Sequence, residues 1–573
     1  MVANNTGLSA DNNMARRRGY CDYPPIWSFD YIQSIKNEYA EGKDAYAIQR
    51  DKLKDEVRVM LKEITDPLVQ LENVDILQRL GINYLFEDEI KSILEGIYNS
   101  NDFDSGIWKD NLYAKALKFR LLRQHLYNLV PQEIFNAFKD ESGKFKESIE
   151  NDVKGLLSLY EASFLLMHGE NILEEAREFT SKHLQEFAKQ NEDESYLSKL
   201  VGHALKVPLH WRVPRLEARW FIDLYRRSHE IMNPSFLELS ILDYNIVQSI
   251  HQEDLKQLSR WWKHIKLIEK MDYFRDRLVE NTLWNTGMIF EPQHSYCRDM
   301  VSKVFNLLAL LDDTYDVYGT LDELVLLTSA IESWDLNAMD SLPDYLKITF
   351  LAVFNFTNEL AYDVLKEQGF HIIKYLKKAW ADLSRAYFQE AKWYHTRTKP
   401  DTLEEYIENA WVSVAGPVAL VVALFCVENP ITEDALKLFE DGYPSIVREC
   451  SLIIRLTNDL VTDSFESKNG DVPTSIRCYM YDTGVSEDEA RRHIFFLVTE
   501  AWKQINKDRA INSVFSHTYI ELVTNLTRMS MWMYNKRDGF GIENQCRTRS
   551  CSSSVFVNPI SFEDGEEDLA FIG

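Results

Sequence analysis

Apolar residues recur at three- and four-residue spacing along almost the whole 573-residue chain. Segments such as LKDEVRVMLKEI and VKGLLSLYEASFLL show this spacing, which places apolar side chains on one face of an α-helix. We find no alternating strand pattern of useful length and no fixed repeat period. The chain has only 21 glycines and 15 prolines, which favours long helices over a turn-rich β architecture. The sequence therefore predicts an all-α protein.

The length of the chain favours two large domains over one. The pair Asn233-Pro234 lies between two helical blocks and is typical of a turn followed by a helix start. We therefore expect an N-terminal helical domain over residues 1–232, whose residues 1–30 form an arm, and a C-terminal domain over residues 233–573. Nearly all of the chemically suggestive clusters lie in the second block.

The formal net charge of −26 indicates a surface that repels nucleic acid and anionic membranes, so neither is an expected partner. The longest apolar stretch, VAGPVALVVALFCV, is broken by Gly416-Pro417, and we expect no membrane-spanning helix. The first residues lack the features of a secretory signal or a transit peptide. We expect the plastid stroma if the chain is a mature form and the cytosol if it is complete. The expected state is a monomer, with a homodimer as the alternative.

Three aspartates follow a hydrophobic run in the segment LLALLDDTYDVYG. Asp312 and Asp316 are four residues apart and stack on one face of a helix, while Asp313 is displaced by about 100°. A solvated acidic patch is the alternative for such a string. The apolar run instead predicts a core-facing helix that ends at the acids, where the negative end of the helix dipole favours cations.

A second oxygen-rich set lies in the segment IIRLTNDLVTDSFE, where Asn458, Thr462 and Glu466 follow one another at four-residue spacing. An amide oxygen, a hydroxyl and a carboxylate on one stripe suit Mg²⁺ or Mn²⁺ and not zinc. A mixed polar helix face is the alternative, but two such sets in one helical domain are uncommon. Mg²⁺ usually shares its coordination shell with phosphate, and the chain has no GxxxxGK[ST] loop. A small diphosphate is therefore the expected anion.

These segments together resemble a known enzyme family. DDTYD and NDLVTDSFE resemble the two metal-binding motifs of class I terpene synthases. The RDR segment at Arg275 and Arg277 matches the family's RxR motif. RRGYCDYPPIW has eight residues between Arg17-Arg18 and Trp27, as in the tandem-arginine motif of plant monoterpene synthases. The resemblance runs from residue 16 to about residue 560.

The resemblance implies a two-domain terpene synthase fold, with an N-terminal relict α-barrel domain and a C-terminal class I α-helical bundle. It also implies a lyase that binds a prenyl diphosphate and three Mg²⁺ ions, with Mn²⁺ as a substitute. The implied metal ligands are Asp312, Asp313, Asp316, Asn458, Thr462 and Glu466. The implied substrate-binding residues are Arg275, Arg277, Asp312, Asp316, Arg455, Asn458, Phe305 and Ser413.

The resemblance further implies roles for aromatic residues and for the N-terminal arm. Trp284, Phe305 and Tyr534 match pocket-lining positions, and aromatic faces stabilise a cation without reacting with it. The implied catalytic residues are Arg277, Tyr534 and Trp284. Each aromatic residue has ordinary core packing as its alternative. Arg17, Arg18 and Trp27 belong to an arm that is expected to close over the site and exclude water.

Two features of the second block carry separate hypotheses. Gly416-Pro417 breaks a helix, and the freed backbone carbonyls are expected to face the cation. Many relatives read GDVPKS where this chain reads GDVPTS, so Thr474 replaces a lysine near the diphosphate. We hypothesise that Arg477, three residues later, partly replaces that charge.

The tandem arginines favour a monoterpene synthase that acts on geranyl diphosphate and forms linalool, myrcene, ocimene or a cyclic product. A sesquiterpene synthase acting on farnesyl diphosphate is one alternative. An isoprene synthase acting on dimethylallyl diphosphate is another, because Phe305 and Ser413 fall where those enzymes narrow their pocket, although Ile454 replaces their phenylalanine. Two further alternatives are a non-catalytic helical scaffold and a prenyl chain-elongating enzyme, which normally needs two DDxxD motifs.

Overall fold

The structure, a computed structural model, describes most of the chain. The described residues are 24–100, 106–127, 130–191, 195–228, 231–271, 273–469, 474–535, 538–539 and 545–562, without the side chains of residues 464–469 and 545. The predicted residues Arg17 and Arg18 lie outside this part of the chain, and so does the side chain of Glu466.

The all-α prediction is confirmed. Between residues 24 and 562, the described parts form helices and no strand, with one isolated antiparallel bridge between Lys139 and Phe145. The α-helices are α1 (Phe29–Ser34), α2 (Glu38–Glu41), α3 (Lys43–Glu63), α4 (Pro67–Arg79), α5 (Glu87–Asn99), α6 (Leu112–Gln124), α7 (Val153–Ser163), α8 (Asn171–Gln190), α9 (Tyr196–Lys206), α10 (Pro214–Arg226), α11 (Pro234–Ile265), α12 (Leu267–Lys270), α13 (Leu278–Met288), α14 (Ser295–Asp313), α15 (Leu321–Ser333), α16 (Asp344–Gln368), α17 (Ile373–Thr396), α18 (Leu403–Ser413), α19 (Gly416–Val427), α20 (Glu433–Glu440), α21 (Ser445–Asn469), α22 (Ser475–Thr483), α23 (Glu487–Ile511), α24 (His517–Met533) and α25 (Gln545–Phe556). The short 3₁₀ turns are Asn83–Leu85, Gly106–Trp108, Gln132–Phe138, Glu147–Ile149, Leu209–Trp211, Pro292–His294 and Leu336–Ser341.

The predicted helix start at Asn233-Pro234 is present in the structure. The side-chain oxygen of Asn233 accepts hydrogen bonds from the backbone N–H groups of Ser235 and Phe236, which satisfies two donors at the start of α11. Pro234 occupies the first helical position, where its missing N–H has no cost. The domain boundary near residue 232, which rests on this signal, stays a prediction.

The apolar residues form two cores. An N-terminal core joins buried residues between Tyr39 and Tyr244 and includes Ile560. A C-terminal core joins most buried residues from Leu255 onward, and it also includes residues within 26–35 and 156–216. Helix α11 takes part in both, because Phe236 is buried in the N-terminal core while Leu255 is buried in the C-terminal core. The helix therefore contributes side chains to both cores.

The last helix and the residues after it pack against the N-terminal half. The Asn245 side chain of α11 donates to the carbonyl of Ile560 at 2.9 Å and accepts from its N–H at 2.7 Å. Arg549 of α25 donates to the carbonyl of Ile26 at 3.0 Å, and the buried Trp27 ring packs edge-on against Phe556. The two ends of the described chain therefore meet beside α11.

The stretch Leu403–Val427 is long and apolar enough to cross a membrane by length and composition, in contrast to the expectation from the sequence. However, 72% of its most apolar window is buried inside the protein. The stretch is divided between α18 and α19 at Ala415, whose φ of +66° is left-handed. Because a buried core segment passes the same test, the stretch gives only weak support for a membrane span.

A buried ion pair on α10 predicts how stability depends on pH. Glu217 accepts from Arg212 at 2.9 Å and lies 2.9 Å from His203. Burial works to raise the pKa of Glu217, but Arg212 and His203 outweigh it and lower the pKa to about 2. A lowered pKa stabilises the folded state above the ordinary carboxyl pKa, and this stabilisation is lost as the pH falls from about 4.5 towards 2.

We therefore expect Glu217→Gln to lower the free energy of unfolding by about 3 kcal/mol at pH 7, because it leaves buried Arg212 without its main partner. The difference from the unaltered protein should shrink as the pH falls towards about 3. Urea unfolding followed by circular dichroism measures both. Glu56→Gln removes an exposed pair with Lys52 and should change stability by less than about 1 kcal/mol. If Glu217→Gln lowered the free energy of unfolding equally at pH 7 and at about pH 3, the lowered pKa of Glu217 would be contradicted.

Candidate active site

Helix α14 brings the predicted acidic cluster to a cavity of about 380 Å³ in the C-terminal half. The α-helix ends at Asp313, and Thr314–Tyr318 form a π-helical turn. The sequence predicted one regular α-helical face for Asp312 and Asp316. The structure corrects that geometry, because a π turn has wider hydrogen-bonded rings. Asp312 and Asp316 nevertheless both line the cavity.

The charges around Asp312 favour a cation. Burial and the nearby carboxylate of Asp316 raise the pKa of Asp312 to about 7, although Arg275 works in the opposite direction. The site therefore holds more negative charge than its own arginine offsets. A divalent cation placed between the two carboxylates would relieve this repulsion.

The second aspartate, Asp313, is held by Arg275. Its carboxylate accepts from the backbone N–H of Arg275 at 2.9 Å and from Nε at 2.7 Å. The Asp313 side chain is only 1% exposed. Both of its oxygens accept hydrogen bonds from Arg275. Each carboxylate oxygen has a further lone pair, so the role of Asp313 as a metal ligand stays a prediction. The contact fixes Arg275 beside the cavity.

The second arginine of the RDR segment, Arg277, lies at the start of α13. It is buried, lines the cavity and donates to Glu280 at 3.2 Å. Burial raises the pKa of Glu280 despite this arginine. The guanidinium groups of Arg275 and Arg277 thus both reach the cavity that the aspartates line.

Helix α21 brings the second predicted set to the same cavity. Asn458 and Thr462 both line it, and the Thr462 hydroxyl donates to the backbone carbonyl of Asn458 at 3.1 Å. The backbone of Glu466 continues the helix, while its side chain lies outside the described residues. Two of the three predicted oxygen ligands therefore face the cavity into which Asp312 and Asp316 also project.

The structure also brings Arg455 and Ser413 together. Arg455 donates to the Ser413 hydroxyl at 3.0 Å and to the carbonyl of Ala410 at 3.3 Å. The Ser413 hydroxyl in turn donates to Glu390 at 2.6 Å. Arg455 is thus anchored at the end of α18 while it lines the cavity.

The sequence analysis missed Glu390 and Tyr387, which α17 presents to the cavity. Glu390 contributes to the raised pKa of Asp312, so its charge acts on the same space. Burial, followed by the charges of Asp312 and Asp316, raises the pKa of Tyr387. The two residues are three apart on one helix and so lie one turn apart, but their own helix carries no sequence signal that distinguishes them.

The three predicted aromatic residues meet at the apolar part of the cavity. The buried Trp284 ring lies 6.2 Å from the Phe305 ring and 5.8 Å from the Tyr534 ring, measured between centroids. All three line the cavity. Burial raises the pKa of Tyr534, so its phenol stays neutral. The cavity therefore has an aromatic wall beside its oxygen-rich wall.

The predicted helix break at Gly416-Pro417 is present and lies in the cavity wall. Ser413, Ala415 and Gly416 line the cavity between α18 and α19. A Cβ on Gly416 would lie 2.3 Å from the Ser451 hydroxyl, so this close approach requires glycine. That the carbonyls here face a cation stays a hypothesis.

Arg477 does not lie where we had hypothesised. It is not among the residues that line the cavity, and it donates to Asp463 at 2.6 Å and to Glu487 at 3.1 Å. Thr474 is buried and also donates to Asp463, at 2.6 Å. The structure therefore corrects the hypothesis that Arg477 replaces the missing lysine, because its charge is paired elsewhere.

The oxygen donors fit a hard cation that shares its ligands with a phosphate. The cavity presents carboxylates, an amide and a hydroxyl, which suit Mg²⁺ or Mn²⁺. Within the described part of the chain, no three His, Cys, Asp or Glu residues are grouped closely enough to hold a metal ion by themselves. The arginines around the same cavity suit the phosphate oxygens.

Comparison with known proteins identifies two matching family profiles. Residues 26–205 match the terpene synthase N-terminal domain, and residues 263–504 match the metal-binding domain of the terpene synthase family. A chloroplastic myrcene synthase of Quercus ilex is 54% identical over 98% of this chain and 92% of its own length.

Two solved structures are similar along nearly the whole chain. Limonene synthase with 2-fluorolinalyl diphosphate is 41% identical, covers 94% of this chain and 99% of its own, and has a TM-score of 0.89. Isoprene synthase from grey poplar leaves, in complex with three Mg²⁺ ions and dimethylallyl-S-thiolodiphosphate, is 44% identical. It covers 93% of this chain and 99% of its own, with a TM-score of 0.85.

Proposed function

Because this chain belongs to the terpene synthase family and is a lyase, we propose that it is a monoterpene synthase that releases diphosphate from geranyl diphosphate. One observation carries the proposal: oxygen ligands and arginines share a single cavity with an aromatic wall. The charged diphosphate requires the oxygen ligands and arginines, and the apolar prenyl chain beside it requires the aromatic wall. The names of the similar myrcene and limonene synthases support a monoterpene product.

The oxygen-rich end of the cavity would hold the metal ions and the diphosphate. Bound Mg²⁺ would act as a Lewis acid that stabilises the charge of the departing diphosphate. We propose three ions, by analogy with the isoprene synthase complex, and Mn²⁺ as a substitute. The proposed ligands are Asp312, Asp313, Asp316, Glu390, Asn458, Thr462 and Glu466. Asp313 would also hold Arg275.

The arginines would orient the diphosphate. Arg275, Arg277 and Arg455 line the cavity and can give charge-assisted hydrogen bonds to phosphate oxygens. Arg275 and Arg455 are each fixed by a second contact, to Asp313 and Ser413 respectively. Such pre-fixed donors lose little freedom when the substrate binds.

The aromatic wall would face the prenyl chain. Trp284, Phe305 and Tyr534 present rings whose faces attract positive charge, which stabilises the allylic cation left after diphosphate departs. If this cation loses a proton or takes up water, the product is acyclic. If the cation first isomerises and the second double bond of the chain attacks it, a ring closes, and proton loss or water uptake by the new cation then gives a cyclic product. We propose that the arm carrying Arg17 and Arg18 covers this end and limits the access of water, with Trp27 as its anchor.

The cavity favours geranyl diphosphate over the shorter dimethylallyl diphosphate. Ile454 lines the cavity where isoprene synthases carry phenylalanine, and the smaller side chain leaves room for a longer chain. Farnesyl diphosphate remains the second candidate substrate. We propose the plastid as the compartment, because the similar myrcene synthase is named as chloroplastic.

Turnover of the three prenyl diphosphates tests the substrate. The purified chain is incubated with Mg²⁺ and dimethylallyl, geranyl or farnesyl diphosphate, and products are separated by chiral gas chromatography. We expect kcat/KM for geranyl diphosphate to exceed the other two by at least about tenfold, because a pocket matched to one chain length discriminates by that much. A preference for farnesyl diphosphate would contradict the monoterpene assignment.

The variant Ile454→Phe provides the matched comparison. The added ring fills the cavity where the end of a geranyl chain would lie, so kcat/KM for geranyl diphosphate should fall by about tenfold or more. Turnover of dimethylallyl diphosphate should change less. Equal effects on both substrates would show that Ile454 does not set chain length.

A further inference from the structure

We propose that Asp463 is a positioning residue that fixes the rotation of α21 about its own axis, so that the oxygen ligands of this helix face the cavity. The inference rests on the proposed function, because it concerns the helix that would hold part of the metal site. Asp463 itself does not line the cavity. It follows Thr462, which does, by one position.

The side chain of Asp463 accepts hydrogen bonds from three residues. Its side chain is fully buried and accepts from the Thr474 hydroxyl at 2.6 Å. It accepts from Arg477 through Nε at 3.0 Å and through Nη2 at 2.6 Å, and from Arg491 at 3.4 Å. A buried carboxylate in such contacts has one favourable orientation, and this orientation restrains the helix that carries it.

The same stripe of α21 carries a second anchor. Asp459, one turn earlier, is buried and accepts from the backbone N–H of Ser475 at 2.9 Å. Asp459 and Asp463 directly follow Asn458 and Thr462, so the anchored stripe lies about 100° round the helix from the ligand stripe. A rotation of α21 that released the anchors would therefore turn the ligands out of the cavity.

The arginines that bind Asp463 connect α21 to two further helices. Arg477 belongs to α22 and Arg491 to α23, and both also contact Glu487 at the start of α23. Arg491 additionally donates to the carbonyl of Leu460 in α21 at 2.7 Å. Without the carboxylate of Asp463, Arg477 and Arg491 would both pair with the half-exposed carboxylate of Glu487 alone. Helices α21, α22 and α23 would then lose the side chain that joins them.

The network also gives Thr474 a role. The resemblance to relatives leads one to expect lysine at this position, whereas here the hydroxyl caps α22 and donates to Asp463. The residue that departs from the family pattern is thus one of the partners of Asp463. Thr474 thus lacks the positive charge of a lysine, but its hydroxyl forms a contact that joins α22 to α21.

Binding of Mg²⁺ together with inorganic diphosphate tests the inference without relying on turnover. A ligand that binds the folded protein raises its Tm, so the Mg²⁺ concentration that gives half of this rise reports the strength of the metal site. For Asp463→Asn we expect this concentration to increase by about tenfold, as for other residues that orient metal ligands. At saturating Mg²⁺, kcat with geranyl diphosphate should recover to within about threefold of the unaltered protein.

Asp382→Asn is the matched control. Asp382 of α17 also accepts from several partners, Lys378 at 2.9 Å and Tyr443 at 2.8 Å among them, but these partners lie outside α21 and Asp382 does not line the cavity. The Asp382→Asn variant should have a lower Tm than the unaltered protein but the same half-effective Mg²⁺ concentration. If Asp463→Asn behaves in the same way, its role is merely structural and the inference is overturned.

A second pair of variants covers the case in which Asp463→Asn does not fold. Thr474→Val removes the hydroxyl at nearly constant volume and should raise the half-effective Mg²⁺ concentration, whereas Thr474→Ser keeps the donor and should match the unaltered protein. Equal values for both would overturn the inference. If the unaltered protein showed no Mg²⁺-dependent rise in Tm and no turnover, the proposed function would fail as well.

Discussion

Replacing Asp312 with asparagine is expected to lower kcat for geranyl diphosphate by at least about a thousandfold. The amide keeps the size of the side chain but removes the charge that, with Asp316, favours a cation in the cavity. The loss should fall mainly on kcat, because the charge matters most when the departing diphosphate becomes more negative. Steady-state assays over a range of Mg²⁺ concentrations measure it.

Two comparison variants make the result specific. Asp340→Asn changes an exposed aspartate away from the cavity and should leave kcat within about twofold. Asp313→Asn should instead weaken substrate binding through Arg275, because Asp313 holds that arginine. Near-normal kcat for Asp312→Asn would disprove the proposed metal site.

Removal of divalent cations has the other large expected effect. Excess chelator should reduce turnover to less than about one thousandth, because without the metal the carboxylates repel the diphosphate and the arginines alone do not stabilise its departure. Re-addition of Mg²⁺ or Mn²⁺ should restore activity, since both prefer six oxygen ligands. Ca²⁺ is larger and accepts irregular geometry, and it should restore little.

The helical fold serves as the internal control for that experiment. The two apolar cores do not depend on a metal ion, so the far-ultraviolet circular dichroism spectrum should be unchanged by chelator. Full turnover in chelator would contradict the proposed mechanism. A loss of helical signal would mean instead that the metal has a structural role.

The helical class was predictable because periodicity is a local property of the chain, and the start of α11 followed from Asn233-Pro234. The meeting of Trp284, Phe305 and Tyr534 in one cavity also agrees with the resemblance. Helical periodicity and the Asn-Pro helix start need no knowledge of which helices pack together. The three aromatic positions lie on separate elements, so they were predictable only through the resemblance to the family.

The partners of charged residues were less predictable. Arg477 was expected near the diphosphate but pairs with Asp463, and the sequence did not predict the contact between Asp313 and Arg275. Both outcomes depend on which helix lies opposite, which the sequence does not state. Glu390 was missed for the same reason, since nothing in its own helix distinguishes it until Ser413 is brought beside it.

The packing of α25 beside the first described residues has a consequence for how the two halves lose their structure. Asn245 in α11 binds the backbone at Ile560, and Arg549 of α25 binds the backbone at Ile26, so beginning and end are joined across the middle of the chain. Unfolding of either half would therefore break contacts that the other half makes. We therefore expect one denaturation transition that both halves share, and not two separate ones.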